Sequence, residues 1–137
     1  MVKQAGGFRE LAHTADWELE VWASDLSSLF EQAARGMYAL AGARLGAGPR
    51  LARSLELSAP DPETLLVSFL SELLYFSERD GLGFDQFELA MSADHLTARL
   101  EGSPLSALDK EIKAVTYHNL RISETPHGLE VRIVFDV

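Results

Sequence analysis

One stretch constrains this chain more than any other. Asp61-Pro62-Glu63 is followed closely by Leu65, Leu66, Phe69, Leu70, Leu73, Leu74 and Phe76. The opening is a helix start: a capping carboxylate, a proline at the first helical position and an acid in the first turn. The apolar residues after it cover most of a helix circumference. A helix to about Arg79, ended by Gly81, is therefore predicted to be the most buried element of the fold. The stretch from Leu65 to Phe76 is interrupted by Ser68, Ser71 and Glu72 and is too short to span a bilayer, so no membrane role is expected.

The surroundings of that helix are legible as alternation. Trp17, Leu19 and Val21 share one face of a predicted strand over 17–23, with Glu18 and Glu20 opposite. Ser24 and Asp25 offer cap oxygens to a second helix, whose Leu26, Leu29, Phe30, Ala33, Met37, Leu40 and Ala41 recur at helical spacing up to Gly42. The Gly- and Arg-rich run 41–52 reads as a surface loop. Strands are predicted at 51–58, at 84–91 and at 96–100, with Asp94-His95 in the turn between the last two.

Glu111 to Ser123 predicts one long strand, with Ile112, Ala114, Thr116, His118, Leu120 and Ile122 on its apolar face and Lys113 on the other. Thr125-Pro126-His127-Gly128 signals a hairpin turn. The chain closes on Leu129, Val131, Ile133, Phe135 and Val137, with Glu130, Arg132, Val134 and Asp136 opposite. Short connections between consecutive strands imply antiparallel pairing. The expectation is an α+β fold: a single two-layer domain over 1–137, a largely antiparallel β-sheet with two packed helices.

Charge and composition narrow the chemistry. Twelve basic residues against twenty-one acidic ones leave a net charge of −9. Such a chain repels phosphate, so no independent nucleic-acid binding is expected, and a basic protein partner is favoured instead. The absence of cysteine excludes disulfides, thiolate metal sites and thiol nucleophiles. The first residues lack an apolar signal-peptide core, and the expected compartment is the cytoplasm. Long strands and a sheet edge leave self-association open. Walker A, HExxH and GxSxG motifs are absent, and the one GxG, Gly81-Leu82-Gly83, follows a helix and reads as a turn.

Four features remain as candidates. His13-Thr14-Ala15-Asp16 stands just before a strand, where it either caps local backbone or places an imidazole and a carboxylate together for metal or proton chemistry. Asp136 is a solvated strand carboxylate or, with a terminal carboxylate on Val137, part of an oxygen-rich site for Ca²⁺ or Mg²⁺. Lys113 stands out because the chain uses nine arginines and only three lysines. It is a solvated strand lysine or a point charge aimed at a carboxylate or phosphate. His118 is read as a hydrogen-bonded core residue or, less simply, a ligand.

Taken together these residues resemble the archease family. The matches are HTAD at 13–16, DLSSLFEQAARGMYAL at 25–40, LLVSFLSELLYFSERDGLGF at 65–84, EIKAVTYHNLRI at 111–122 and IVFDV at 133–137. The resemblance spans nearly the whole chain in the family's order. It implies a small, non-catalytic protein that activates an RtcB-type RNA ligase in tRNA splicing and RNA repair, by promoting guanylylation of the ligase and its multiple turnover. It implies a divalent-metal site at Asp16, Asp136 and Val137, filled by Ca²⁺ in structures, with Mg²⁺ or Mn²⁺ in action. It further points to Asp16, Lys113 and Asp136 as residues that activation needs, with His13 and His118 in support. The chain departs from the family pattern at Ala12, where an acid is usual, at Trp17-Glu18, where a small apolar pair is usual, and in a shorter segment between Leu100 and Glu111. Two other readings are a chaperone or adaptor for a tRNA-modifying methyltransferase and a stand-alone metal-dependent enzyme built on His13, Asp16 and His118.

Overall fold

The computed structural model describes residues 5–11 and 17–137. The elements in chain order are β1 (Gly7–Leu11), β2 (Trp17–Ala23), α1 (Leu26–Ala41), β3 (Arg44–Leu45), β4 (Leu51–Ser58), α2 (Pro62–Asp80), β5 (Leu82–Met91), β6 (His95–Ala107), β7 (Ala114–Val115), β8 (Ser123–Thr125) and β9 (Gly128–Asp136).

Both helices form between the signals that predict them. The Asp61 carboxylate accepts the Thr64 N–H at 2.7 Å at the head of α2, and Gly81 closes it with a left-handed φ of 65°. Asp25 accepts the Ser28 N–H at 2.8 Å and Gly42 closes α1 at φ 64°. Leu65, Leu66, Phe69, Leu70 and Leu73 of α2 are fully buried, as an all-round apolar helix must be. Phe30 of α1 stacks on Phe69 of α2 with ring centroids 5.8 Å apart. Gly36 interrupts α1 where Leu19 and Phe8 press against it; a Cβ there would run into both side chains.

The fold is α+β with antiparallel pairing throughout, but the strands divide into two sheets rather than one. Among the described residues the first has five strands, in the order β1-β2-β9-β7, with β8 also on β9. The second has four, with β6 at its centre between β4 and β5 and extended by β3. Helix α1 packs on β1, β2 and β5, while α2 packs on β4, β5, β6 and β7. The shared core thus lies where the helices meet both sheets. Among the described residues no helix is long and apolar enough to cross a membrane.

Several sequence expectations change. β1 and the short β3 were unmarked by periodicity, and β3 falls inside the run read as a surface loop. β6 continues past Leu100 to Ala107 because β3 and β5 keep pairing with it. A bulge at Asp85 shifts the face of β5, and Arg50 holds that residue with paired hydrogen bonds of 3.2 and 2.5 Å. Glu20, read on the polar face, is 3% exposed. It receives Arg9 at 3.1 Å and Arg132 at 3.7 Å from the neighbouring strands.

The largest correction concerns 111–123. The predicted long strand is only the two-residue β7, followed by a turn and then β8. Between the pairs Val115↔Phe135 and Ser123↔Glu130 this segment spends seven residues while β9 spends four. The surplus cannot stay in the ladder. Thr116 starts the departure: its Oγ1 donates to the Val134 carbonyl at 2.9 Å and accepts the His118 N–H at 3.3 Å. The turn closes with the Leu120 N–H on the Tyr117 carbonyl at 3.1 Å and Asn119 in the left-handed region at φ 52°. His118 is consequently exposed, not on an apolar face.

Candidate functional site

The end of β9 is where three of the candidate residues, Lys113, Asp136 and Val137, come together. Its neighbour on one side is β2, in a register that sets Trp17 opposite Phe135. Trp17 is the residue that follows Asp16, and Phe135 the one that precedes Asp136. Its neighbour on the other side is β7, with Ala114 opposite Asp136. The Lys113 N–H donates to the Asp136 carbonyl at 2.8 Å. The main chains of Lys113 and Asp136 are therefore fixed to each other while both side chains are exposed. Val137 packs partly against the core, which anchors the backbone on the far side of Asp136.

A strap of chain, residues 108–113, leads into this site. The N–H groups of Asp109 and Lys110 both donate to the Ala41 carbonyl at the end of α1, at 2.9 and 3.0 Å. The Lys110 ammonium lies 3.6 Å from the centre of the Trp17 ring, a cation–π contact. Ile112 is buried and pins the strap to the core. The strap thus ties the end of α1, the start of β2 and the end of β9 together just ahead of Lys113. Beneath it a cavity of about 430 Å³ opens between α1 and α2.

Of the residues expected in the site, the structure brings Lys113, Asp136 and Val137 together. His13 and Asp16 lie outside the described residues. His118 is held elsewhere, on the turn beyond β7, where its Nε2 faces the Asn119 side-chain amide at 3.3 Å. Among the described residues no group of three or more His, Cys, Asp or Glu side chains stands close enough to hold a metal ion. Asp136 is a hard oxygen donor on an exposed strand end, which fits one place in a Ca²⁺ or Mg²⁺ shell. Sequence reasoning named neither the Lys110–Trp17 contact nor the cavity. The scarcity of lysine was the one available signal, since two of the three lysines are Lys110 and Lys113.

This arrangement can be set beside known proteins. The sequence profile of the Archease protein family (MTH1598/TM1083) matches residues 8–137. Protein archease of Methanosarcina barkeri is 33% identical over 147 residues, covering 100% of both chains. Protein archease of Thermococcus gammatolerans is 33% identical over 124 residues, covering 85% of this chain and 87% of that one. The solution structure of Methanobacterium thermoautotrophicum protein 1598 superposes with a TM-score of 0.69 at 22% identity, covering 96% of this chain and 99% of that one. The crystal structure of a Thermotoga maritima archease, described as a possible chaperone, gives a TM-score of 0.68 at 18% identity, covering 100% of this chain and 98% of that one. The chain belongs to the archease family.

Proposed function

We propose that this protein is a non-catalytic cofactor of an RtcB-type RNA ligase, promoting guanylylation of the ligase and its multiple turnover in tRNA splicing and RNA repair. The observation that supports this reading most is the joining of Lys113 to Asp136: two residues distant in sequence, each singled out for activation, share one backbone hydrogen bond at an exposed strand end. A net charge of −9 suits docking against the basic cleft of an enzyme that handles RNA.

Asp16, Asp136 and Val137 would hold a divalent cation, Ca²⁺ or in action Mg²⁺ or Mn²⁺. Such an ion supplies positive charge against phosphate oxygens. The protein's own part is to present Asp136 and the Lys113 ammonium on a rigid edge, with Trp17 and its Lys110 cover beside them. The test is guanylylation of the purified ligase with GTP and divalent metal, with this protein at substoichiometric amounts. Wild-type protein is expected to accelerate repeated turnover, and Asp16→Ala and Asp136→Ala to abolish the effect. Unchanged stimulation by both variants overturns the assignment of the site.

A second reading rests on the name carried by the Thermotoga maritima relative: a chaperone or adaptor, for instance for a tRNA-modifying methyltransferase. It predicts stoichiometric suppression of client aggregation that survives both aspartate substitutions.

A further inference from the structure

Among the described residues the start of β2 is held by the sheet on one side only. β1 pairs with β2 no further than Leu11 opposite Glu18. Trp17, the first residue of β2, pairs with Phe135 of β9 alone. A strand end with a single neighbour is where a sheet opens most readily. Trp17 follows Asp16 in the sequence and Phe135 precedes Asp136, so opening at this end would loosen the candidate site. The Lys110 side chain supplies a second hold. Its ammonium lies 3.6 Å from the centre of the Trp17 ring. The other cation–ring contacts among the described residues use arginine, at 4.6 to 5.9 Å. Lys110 and Trp17 are both half-buried, which makes such a contact stronger than a fully exposed one. The Lys110 N–H donates to the Ala41 carbonyl at 3.0 Å, so the side chain reaches out from fixed backbone. Three residues further on, Lys113 bonds the Asp136 carbonyl. One short strap thus grips both strands of the site: β9 through backbone, β2 through the Lys110 ammonium.

We infer that Lys110 is a positioning residue for the candidate site: its charge on the Trp17 ring locks the entry of the chain into β2, and with it the placing of the preceding residue, Asp16, against Asp136. The step rests on the functional reading above and adds a residue that acts through Trp17 rather than on the metal. Part of the ordering cost of binding a cation is then met before the cation arrives. The inference carries a sign that simple electrostatics does not share. Removing a positive charge from the neighbourhood of a Ca²⁺ site strengthens the attraction for Ca²⁺. Removing a positioning residue weakens it.

The experiment is calorimetric titration of Ca²⁺ into the full chain, with guanylylation of the purified RtcB-type ligase measured on the same preparations. Lys110→Met keeps an apolar stem and drops the charge. It is expected to weaken Ca²⁺ binding about two- to fivefold, the equivalent of one lost cation–π contact, and to lower ligase stimulation at limiting divalent metal, with the circular dichroism spectrum unchanged. Lys110→Arg returns a cation to the ring and is expected to recover most of the affinity. Lys110→Gln serves in place of Lys110→Met if that variant does not fold. Unchanged or tighter Ca²⁺ binding in a folded Lys110→Met or Lys110→Gln, or no recovery in Lys110→Arg, overturns the positioning role and leaves the metal and ligase readings standing. A wild-type protein that binds no Ca²⁺ overturns the metal site and this inference with it, while its stimulation of the ligase decides the functional reading separately.

Discussion

The Lys113 main chain and the Asp136 main chain are joined by one hydrogen bond of 2.8 Å, with the lysine N–H donating to the aspartate carbonyl. Because the bond is made by backbone, it does not depend on either side chain, and only proline at Lys113 would remove the donor. The two exposed side chains are thus free to serve a partner without serving the fold.

That separation yields the first expectation. Lys113→Ala should change stability by no more than about 0.5 kcal/mol, as for exposed positions generally. Ligase activation should fall sharply. Lys113→Arg keeps the charge but replaces a compact ammonium by a planar fork, so partial activity is expected. Urea unfolding and guanylylation on the same preparations check both; a large loss of stability in Lys113→Ala would show that the side chain supports the fold.

Ligand linkage supplies the second. If Asp136 is a metal ligand, Ca²⁺ raises the melting temperature, because anything that binds only the folded chain stabilises it by RT ln(1 + [L]/Kd). At a concentration roughly a hundred times Kd the gain is about 2.7 kcal/mol. Asp136→Asn should lose most of the shift while melting normally without metal. An equal Ca²⁺ shift in Asp136→Asn removes Asp136 from the ligand set.

Acid sensitivity follows from the helix caps. Backbone N–H groups of Ser28 and Thr64, with those residues' side chains adding, hold Asp25 and Asp61 below the ordinary value of 3.8. A carboxylate with a depressed folded-state pKa stabilises the fold fully above its unfolded value and loses that contribution as pH falls through the folded value. Stability should therefore drop below about pH 4 as these caps protonate. Asp25→Asn and Asp61→Asn keep a capping oxygen and should retain most stability at pH 7 with a shallower acid decline. Denaturant midpoints from pH 2.5 to 7 test this; an unchanged acid slope in the double variant would place the sensitivity elsewhere.

Glu20 gives the fourth. It is 3% exposed and receives Arg9 and Arg132 from the flanking strands, so it links β1, β2 and β9 through side chains. Both arginines are more than half exposed, at 61% and 64%, and water screens them when the acid is removed. Glu20→Ala should therefore cost about 1–3 kcal/mol, chiefly through lost buried hydrogen bonding and packing. Thermal melting measures it, and a change under about 0.5 kcal/mol would mean the cluster is ornamental to stability.

How far the sequence reaches differs between element types. Both helices, their caps at Asp25 and Asp61 and their stops at Gly42 and Gly81 follow from local chemistry, since a cap bonds residues only three positions away. β2, β4 and β9 follow from period-two alternation. β1 does not: Gly7–Leu11 is a short edge strand whose only sheet partner among the described residues is β2, far enough on that no local signal marks it. The buried state of Glu20 is equally invisible, because arginines eleven and more than a hundred residues away create it.

The site divides in the same way. Sequence by itself determined the residue types, a scarce lysine at 113, an aspartate at 136 and the family motifs around them. Sequence also determined the helices, whose hydrogen bonds close within four residues. Only the tertiary structure decided that Lys113 and Asp136 are neighbours, that Lys110 covers Trp17, and that 111–123 leaves the ladder after two residues. These outcomes depend on strand register and on surplus chain length between paired positions. Both are set by the alignment of distant segments against a common core, which no local pattern encodes.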